Sequence, residues 1–176
     1  MTVLSILIVP DPGLRAIARP VAVVDDSVRA IVENMFDTMY DARGIGLAAT
    51  QVGIEQRIVV IDLQEPESDA EDAKPVRDPR VFINPELLSV SEETSTYNEG
   101  CLSIPEQYAE VERPMRCRVG WLDQDGTRHE EDFDGLLSTC IQHEIDHLNG
   151  VLFIDHISRL KRDMVLKKLA KARKAA

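Results

Sequence analysis

Apolar residues recur at helical spacing from Val28 to Met39, through Ile31, Val32, Met35 and Phe36. That period predicts a first helix over residues 27–41, with Asp26 or Ser27 as its cap, and Arg43-Gly44-Ile45-Gly46 breaks it. The pattern then changes. Ile58 to Leu63 reads as a buried strand and Val81 to Leu87 as another, and the polar, proline-containing stretch from Gln64 to Arg80 forms a surface loop between them. Arg116 to Leu122 and Thr127 to Phe133 flank Asp125-Gly126, a dipeptide that favours a tight hairpin because its glycine tolerates positive φ.

A second helix is predicted from Leu136 to Leu148, ended by Asn149-Gly150. It carries two stripes: Leu137, Ile141, Ile145 and Leu148 for a core, and Leu136, Cys140, His143 and His147 at the same spacing for chemistry. From Ser158 the chain turns into a third, amphipathic helix in which Leu160, Met164, Val165 and Leu169 dock and the lysines stay in water. Strands with helices placed between and after them, without regular alternation, predict an α+β fold, with mixed or antiparallel sheets around the central helix and an N-terminal and a C-terminal helix.

Composition narrows the class. At 176 residues the chain suits one domain, and 44% apolar with 29% charged residues favours neither disorder nor a membrane protein. The apolar start lacks a basic segment before it and runs into Pro10-Asp11-Pro12, which argues against a signal peptide, and no stretch approaches the roughly 20 apolar residues that span a bilayer. A soluble, cytoplasmic protein is expected. Three cysteines without an export signal point to reduced thiols. The formal charge of −11 speaks against general or sequence-specific nucleic-acid binding, but it is unevenly spread: acidic residues crowd Asp62 to Glu93, whereas Arg159 to Lys174 holds eight Lys or Arg against Asp163 alone.

The chemistry gathers in the second helix. Histidines four apart lie one above the other, so His143 and His147 can direct ring nitrogens to one metal, and Glu144, beside the first, can take a proton from water without being a ligand. A third ligand is needed. Cys101, in Glu99-Gly-Cys-Leu-Ser103, is the choice, because the glycine lets the chain pass close to a metal and thiolate suits zinc or ferrous iron. Cys117 lies in a strand and Cys140 shares the histidine helix, where packing is the simpler role. His129 is read as a strand-surface residue, His156 as a loop residue and Asp146 as polar support. Gly44 and Gly46 admit close approach by a ligand, or simply make a flexible turn.

With these residues assembled, the chain resembles the bacterial peptide deformylases. Three runs carry the likeness in the family's order: Gly44-Ile-Gly-Leu-Ala-Ala-Thr-Gln51, Glu99-Gly-Cys-Leu-Ser103 and Gln142-His-Glu-Ile-Asp-His147, with further matches at Asn84-Pro85-Glu86 and Gly150-Val-Leu-Phe153. The resemblance implies a catalytic domain over residues 1–157, to which the basic helix 158–176 belongs, and removal of the formyl group from the formyl-methionine of nascent peptides, releasing formate. It implies Glu144 as the proton carrier, the Gln51 amide and Leu102 N–H as donors to the oxyanion, and a divalent metal at Cys101, His143 and His147. It implies ferrous iron as that metal in cells, replaceable by zinc, nickel or cobalt. It further implies that the main chain at Gly44, Ile45 and Gly46 pairs with the substrate, helped by Glu99 and Gly100, and that methionine enters a pocket near Ile45, Tyr97, Leu136, Thr139, Cys140 and His143. Two positions depart from the family pattern: Thr139 stands where an aliphatic residue is expected, and Tyr108 where arginine is often found. Glu99 and Arg113 are expected to pair beneath Cys101.

Two rival readings remain. HExxH alone suits a zinc endopeptidase, although such enzymes usually draw their third ligand from downstream, and this chain offers Cys101 upstream. A non-catalytic ribosome-associated module would use the basic C-terminal helix, yet pure binding needs no water-activating carboxylate. Docking at the ribosome through Arg159 to Lys174 is compatible with catalysis.

Overall fold

The computed structural model describes residues 2–175. Helix α1 spans Asp26–Asp41, and its cap lies one residue earlier than expected: the Asp25 carboxylate accepts the Val28 N–H at 3.1 Å. The stripe it buries is Val28, Val32, Met35 and Met39, while Ile31 and Phe36 sit half-buried at its flanks. The strands are β1 (Gly46–Ala48), β2 (Ile58–Ile61), β3 (Arg80–Val90), β4 (Thr94–Cys101), β5 (Ile104–Pro114), β6 (Cys117–Leu122) and β7 (Arg128–Phe133). Five of them form one antiparallel sheet in the order β1-β2-β3-β6-β7, and β4 with β5 forms a separate antiparallel hairpin.

Strand β2 explains the layering. All four of its side chains are buried, and they alternate between two cores as strand geometry requires. Ile58 and Val60 join Val32, Met35 and Met39 of α1, whereas Val59 and Ile61 join Ile141, Ile145 and Leu148 of α2 (Gly135–Leu148) on the opposite face. Each such side chain contributes roughly 1.5–3 kcal/mol by leaving water. The sheet is thus sandwiched between two helices. A third core lies under the hairpin, where Ile104 and Val111 of β5 meet Phe153, Ile154 and residues of helix α3 (Arg159–Ala175).

Several elements differ from expectation. β2 stops at Ile61 rather than Leu63, because the buried Asp62 carboxylate accepts the N–H groups of Gln64 and Asp78, each at 3.0 Å, and so ties both ends of the following loop to the end of the strand. β3 is longer than expected, and β1 and the β4–β5 hairpin are additions. In α3 only Val165 and Leu169 are buried; Leu160 and Met164, expected to dock, are 72% and 50% exposed, since the helix rests on the hairpin along its 165/169 edge. At the end of α2, Gly150 has φ 73°, and a Cβ there would lie 2.6 Å from the Arg15 carbonyl oxygen, so the stop is both conformational and steric. No helix of the described residues is long and apolar enough to cross a membrane.

Candidate active site and metal centre

Helix α2 turns His143 and His147 toward the hairpin and Glu144 toward β1, all buried, with Leu136, Thr139 and Cys140 one and two turns earlier. Cys101 ends β4 immediately before the turn made by Leu102 and Ser103, which brings its sulfur down onto the helix. Cys101 Sγ lies 3.3 Å from His147 Nε2, and the two histidine Nε2 atoms lie 3.2 Å apart. The ligand atoms of all three residues fall within 4.8 Å of one another, the one such cluster among the described residues. Bonds of about 2.3 Å to sulfur and about 2.0–2.1 Å to nitrogen in a tetrahedral site give ligand separations of roughly this size. The donor set therefore fits one divalent ion.

A chain of charged groups backs this cluster. Glu99 Oε1 lies 2.8 Å from His143 Nδ1, which leaves Nε2 to face the sulfur. Arg113 donates to both Glu99 oxygens, at 2.7 and 3.0 Å, and to Asp146 at 2.8 Å; Asp146 in turn lies 2.7 Å from His156 Nε2. The expected pairing of Glu99 with Arg113 is present, and Asp146 supports it from the other side. Hydrogen-bonded groups behind a ligating histidine fix its ring and tautomer. His147 has no such backing: its Nδ1 is buried without a partner among the described residues.

The same packing shifts the proton affinities. Burial works against a charged His143, but hydrogen bonds with Cys101 and Glu99 outweigh it and push the ring up to about 10. Burial and the neighbouring His143 cation hold His147 well below the ordinary histidine range, so it is a neutral donor. Burial would raise Glu99, yet His143 and Arg113 hold it below the usual carboxylate range. Glu144 lacks such partners: burial pushes it up to about 7, against the pull of His143. A carboxyl titrating there can both accept and return a proton near neutral pH. Burial and the Glu144 and Glu99 charges raise the Cys140 thiol well above its ordinary value, in keeping with packing.

Gln51 sits in a 3-10 turn, Ala49–Val52, directly after β1. Its Oε1 accepts the Ala48 N–H at 3.0 Å, which turns Nε2 toward Ser103 Oγ at 3.1 Å and Cys101 Sγ at 3.4 Å. Ser103, fully buried, was not singled out from the sequence, and its place beside Cys101 in the same short run was the available signal.

These groups open into a cleft of about 420 Å³. It is lined by Gly44, Ile45, Gly46 and Gln51, by Glu99, Gly100, Cys101 and Leu102, and by Leu136, Thr139, Cys140, His143 and Glu144 of α2. Tyr97 and Ile45 stand half-exposed at its rim, and Tyr108 lays its ring over Gly100, where a Cβ would come within 2.5 Å of it. Of the residues expected at the metal or substrate, only His147 is absent from the walls, being shut beneath them. His129 lies away from the cleft, bound to Asp123 at 2.7 Å and stacked on Trp121.

The chain as a whole is similar to known proteins. A family described as polypeptide deformylase matches residues 3–163. The chain is 65% identical over 175 residues to a peptide deformylase of Rhizorhabdus wittichii, covering 99% of this chain and 98% of that one. It is 59% identical to a peptide deformylase of Zymomonas mobilis, covering 99% and 97%. A crystal structure of a peptide deformylase from Legionella pneumophila superposes with a TM-score of 0.87 at 43% identity, covering 99% and 97%. A peptide deformylase from Ehrlichia chaffeensis in complex with actinonin superposes at 0.88 with 40% identity, covering 98% of each chain.

Proposed function

The chain belongs to the polypeptide deformylase family, and on that premise we infer that it is a metal-dependent hydrolase that removes the formyl group from the N-terminal formyl-methionine of nascent polypeptides. The observation that carries this reading is the buried Glu144 carboxyl beside the triangle of Cys101, His143 and His147.

When bound at those three residues, a divalent metal supplies Lewis acidity that polarises the formyl oxygen and acidifies water. Glu144 takes the proton of the attacking water on its carboxylate and delivers it to the departing amine, which leaves poorly without protonation. The Gln51 Nε2 amide, aimed by the Ala48 N–H, and the Leu102 N–H donate to the oxyanion that develops on the formyl oxygen. Arg113 and Glu99 hold His143 in place while charge moves, and Asp146 keeps Arg113 neutralised.

The substrate peptide pairs with the main chain of Gly44, Ile45 and Gly46. Support comes from β1 lying at the edge of its sheet, bonded to β2 alone in the strand order, with the cleft along its other side. Glu99 and Gly100 form the facing wall, and the methionine side chain enters between Ile45, Tyr97, Leu136, Thr139 and Cys140. Ferrous iron is the resident metal in cells, and zinc, nickel or cobalt can replace it at these ligands. The enzyme works in the cytoplasm, and its exposed basic residues on α3 help dock it at the ribosome. Residues 1–157 and 158–176 act as one domain.

The test is formate release from formyl-Met-Ala-Ser, run beside cleavage of an unblocked peptide library. Formate from the first and no cleavage of the second is expected. Endoproteolysis without formate would overturn the reading in favour of a zinc endopeptidase.

A further inference from the structure

Gly46 has no conformational reason to be glycine. Its φ lies outside the left-handed region that favours glycine, unlike that of Gly53, Gly126, Gly135 and Gly150. The reason is space. A Cβ built at Gly46 would fall 2.7 Å from Glu144 Oε1, 3.2 Å from Glu144 Cδ and 3.0 Å from Cys140 Sγ. The neighbouring glycine of the motif behaves in the same way toward another group, since a Cβ at Gly44 would fall 2.7 Å from Leu102 Cδ1.

Something must shift if Gly46 gains a side chain, and the surroundings decide what. The strand is pinned on both sides of the residue: Gly46 is in register with Ile61, the Ile45 carbonyl accepts the Asp62 N–H at 2.8 Å, and Leu47 and Ala48 are fully buried. Cys140 is buried in the helix that carries the metal ligands. Glu144 is the free partner. Its Oε2 is buried without a hydrogen bond among the described residues, and its side chain borders the cleft, so contact with the bare face of Gly46 locates it where hydrogen bonds do not.

We propose that Gly46 is a positioning residue for Glu144: its missing side chain is the seat of the carboxylate, and it sets where that group meets the attacking water. This rests on Glu144 as the proton carrier and adds a role to Gly46 beyond pairing with substrate.

The test is a double-mutant cycle on the metal-loaded enzyme with formyl-Met-Ala-Ser: Gly46→Ala, Glu144→Asp and both together, with Glu144→Gln as a control. A displacement of about 1 Å can cost about 100-fold in rate. Gly46→Ala is therefore expected to lower kcat by about 100-fold, with KM within about twofold and metal content unchanged. Aspartate is one methylene shorter and clears the added methyl, so Gly46→Ala is expected to cost less than about threefold in kcat when made on the Glu144→Asp enzyme. Equal losses in both backgrounds would overturn the proposal. So would a rise in KM at constant kcat, which would assign the glycine to substrate approach alone. If Gly46→Ala lowers Tm, the shorter acid should restore it; a double variant that remains unfolded would place the clash at Cys140 or the strand and reject the seat. Full turnover by Glu144→Gln would instead overturn the underlying assignment of Glu144, whatever Gly46→Ala does.

Discussion

Glu99 Oε1 and His143 Nδ1 stand 2.8 Å apart in the interior, and the same carboxylate takes two hydrogen bonds from Arg113. A carboxylate, a guanidinium and an imidazole are thus held together where water cannot screen them. Each is tolerable because the others are present, and the metal ligand His143 inherits its orientation from that balance.

Glu99→Gln keeps the shape and removes the charge. Metal affinity is expected to fall about 10–100-fold, the usual range for groups behind a ligand. Breaking a buried pair costs about 3–5 kcal/mol, and the Arg113–Asp146 contact at 2.8 Å should hold the loss to the lower part of that range. Chelator competition and urea unfolding measure the two effects, and unchanged metal affinity would show that Glu99 does not orient His143.

Glu144→Ala should retain metal, because the ligand triangle does not include it, yet lose about 100-fold to 10,000-fold in turnover. Metal content and formate release on the same sample separate the two. Loss of metal together with activity would mean that Glu144 maintains the site rather than moving the proton.

Protein purified without oxygen is expected to contain iron and to lose formate release in air, since a ferrous ion beside a thiolate is open to oxidation. Removing the metal with a chelator should abolish activity, and anaerobic ferrous iron should restore it. Equal, air-stable activity with zinc alone would count against iron as the resident metal.

Asp155 offers a pH test away from the metal. Burial raises its carboxyl, but Arg15 at 2.6 Å and the Leu152 N–H at 2.9 Å prevail and lower it from 3.8. A depressed carboxylate contributes stability that is complete above its unfolded value and drains away as pH falls through the folded one. The stability gap between wild type and Asp155→Asn in urea should therefore be constant above about pH 5 and close below about pH 4. A gap undiminished at pH 3 would exclude the charge as its source.

Ribosome docking is best tested on the exposed face of α3, because Val165 and Leu169 belong to a core that removal of the helix would uncover. Reversing Lys167, Lys168 and Lys171, all exposed, should weaken co-sedimentation with ribosomes several-fold at low salt and leave hydrolysis of a free peptide unchanged. Unaltered co-sedimentation would remove the helix charges from the docking surface.

Local pattern made much of this readable in advance. The stripe from Val28 to Met39, the paired stripes of α2 and the Asp125-Gly126 turn all appear where their spacing placed them. The β4–β5 hairpin has no run of alternating apolar residues to mark it, because its buried residues are Glu99, Ile104, Val111 and Arg113, two of them charged, and its register slips between Gly100 and Cys101. Leu160 and Met164 misled for the opposite reason: their helical spacing is sound, but only contact with the hairpin selects which edge of α3 is covered.

By itself, then, the sequence determined what backbone geometry repeats over one or two turns: that His143 and His147 share a helix face, and that Glu144 lies beside them. Tertiary structure alone decided the rest. Cys101 reaches His147 across 46 positions only because β4 ends over α2, Glu99 meets both Arg113 and His143 only through the hairpin's register, and Gly46 meets Glu144 only because β1 and α2 pack together. Such approaches depend on how separate elements dock, and no local period in the chain encodes that distance.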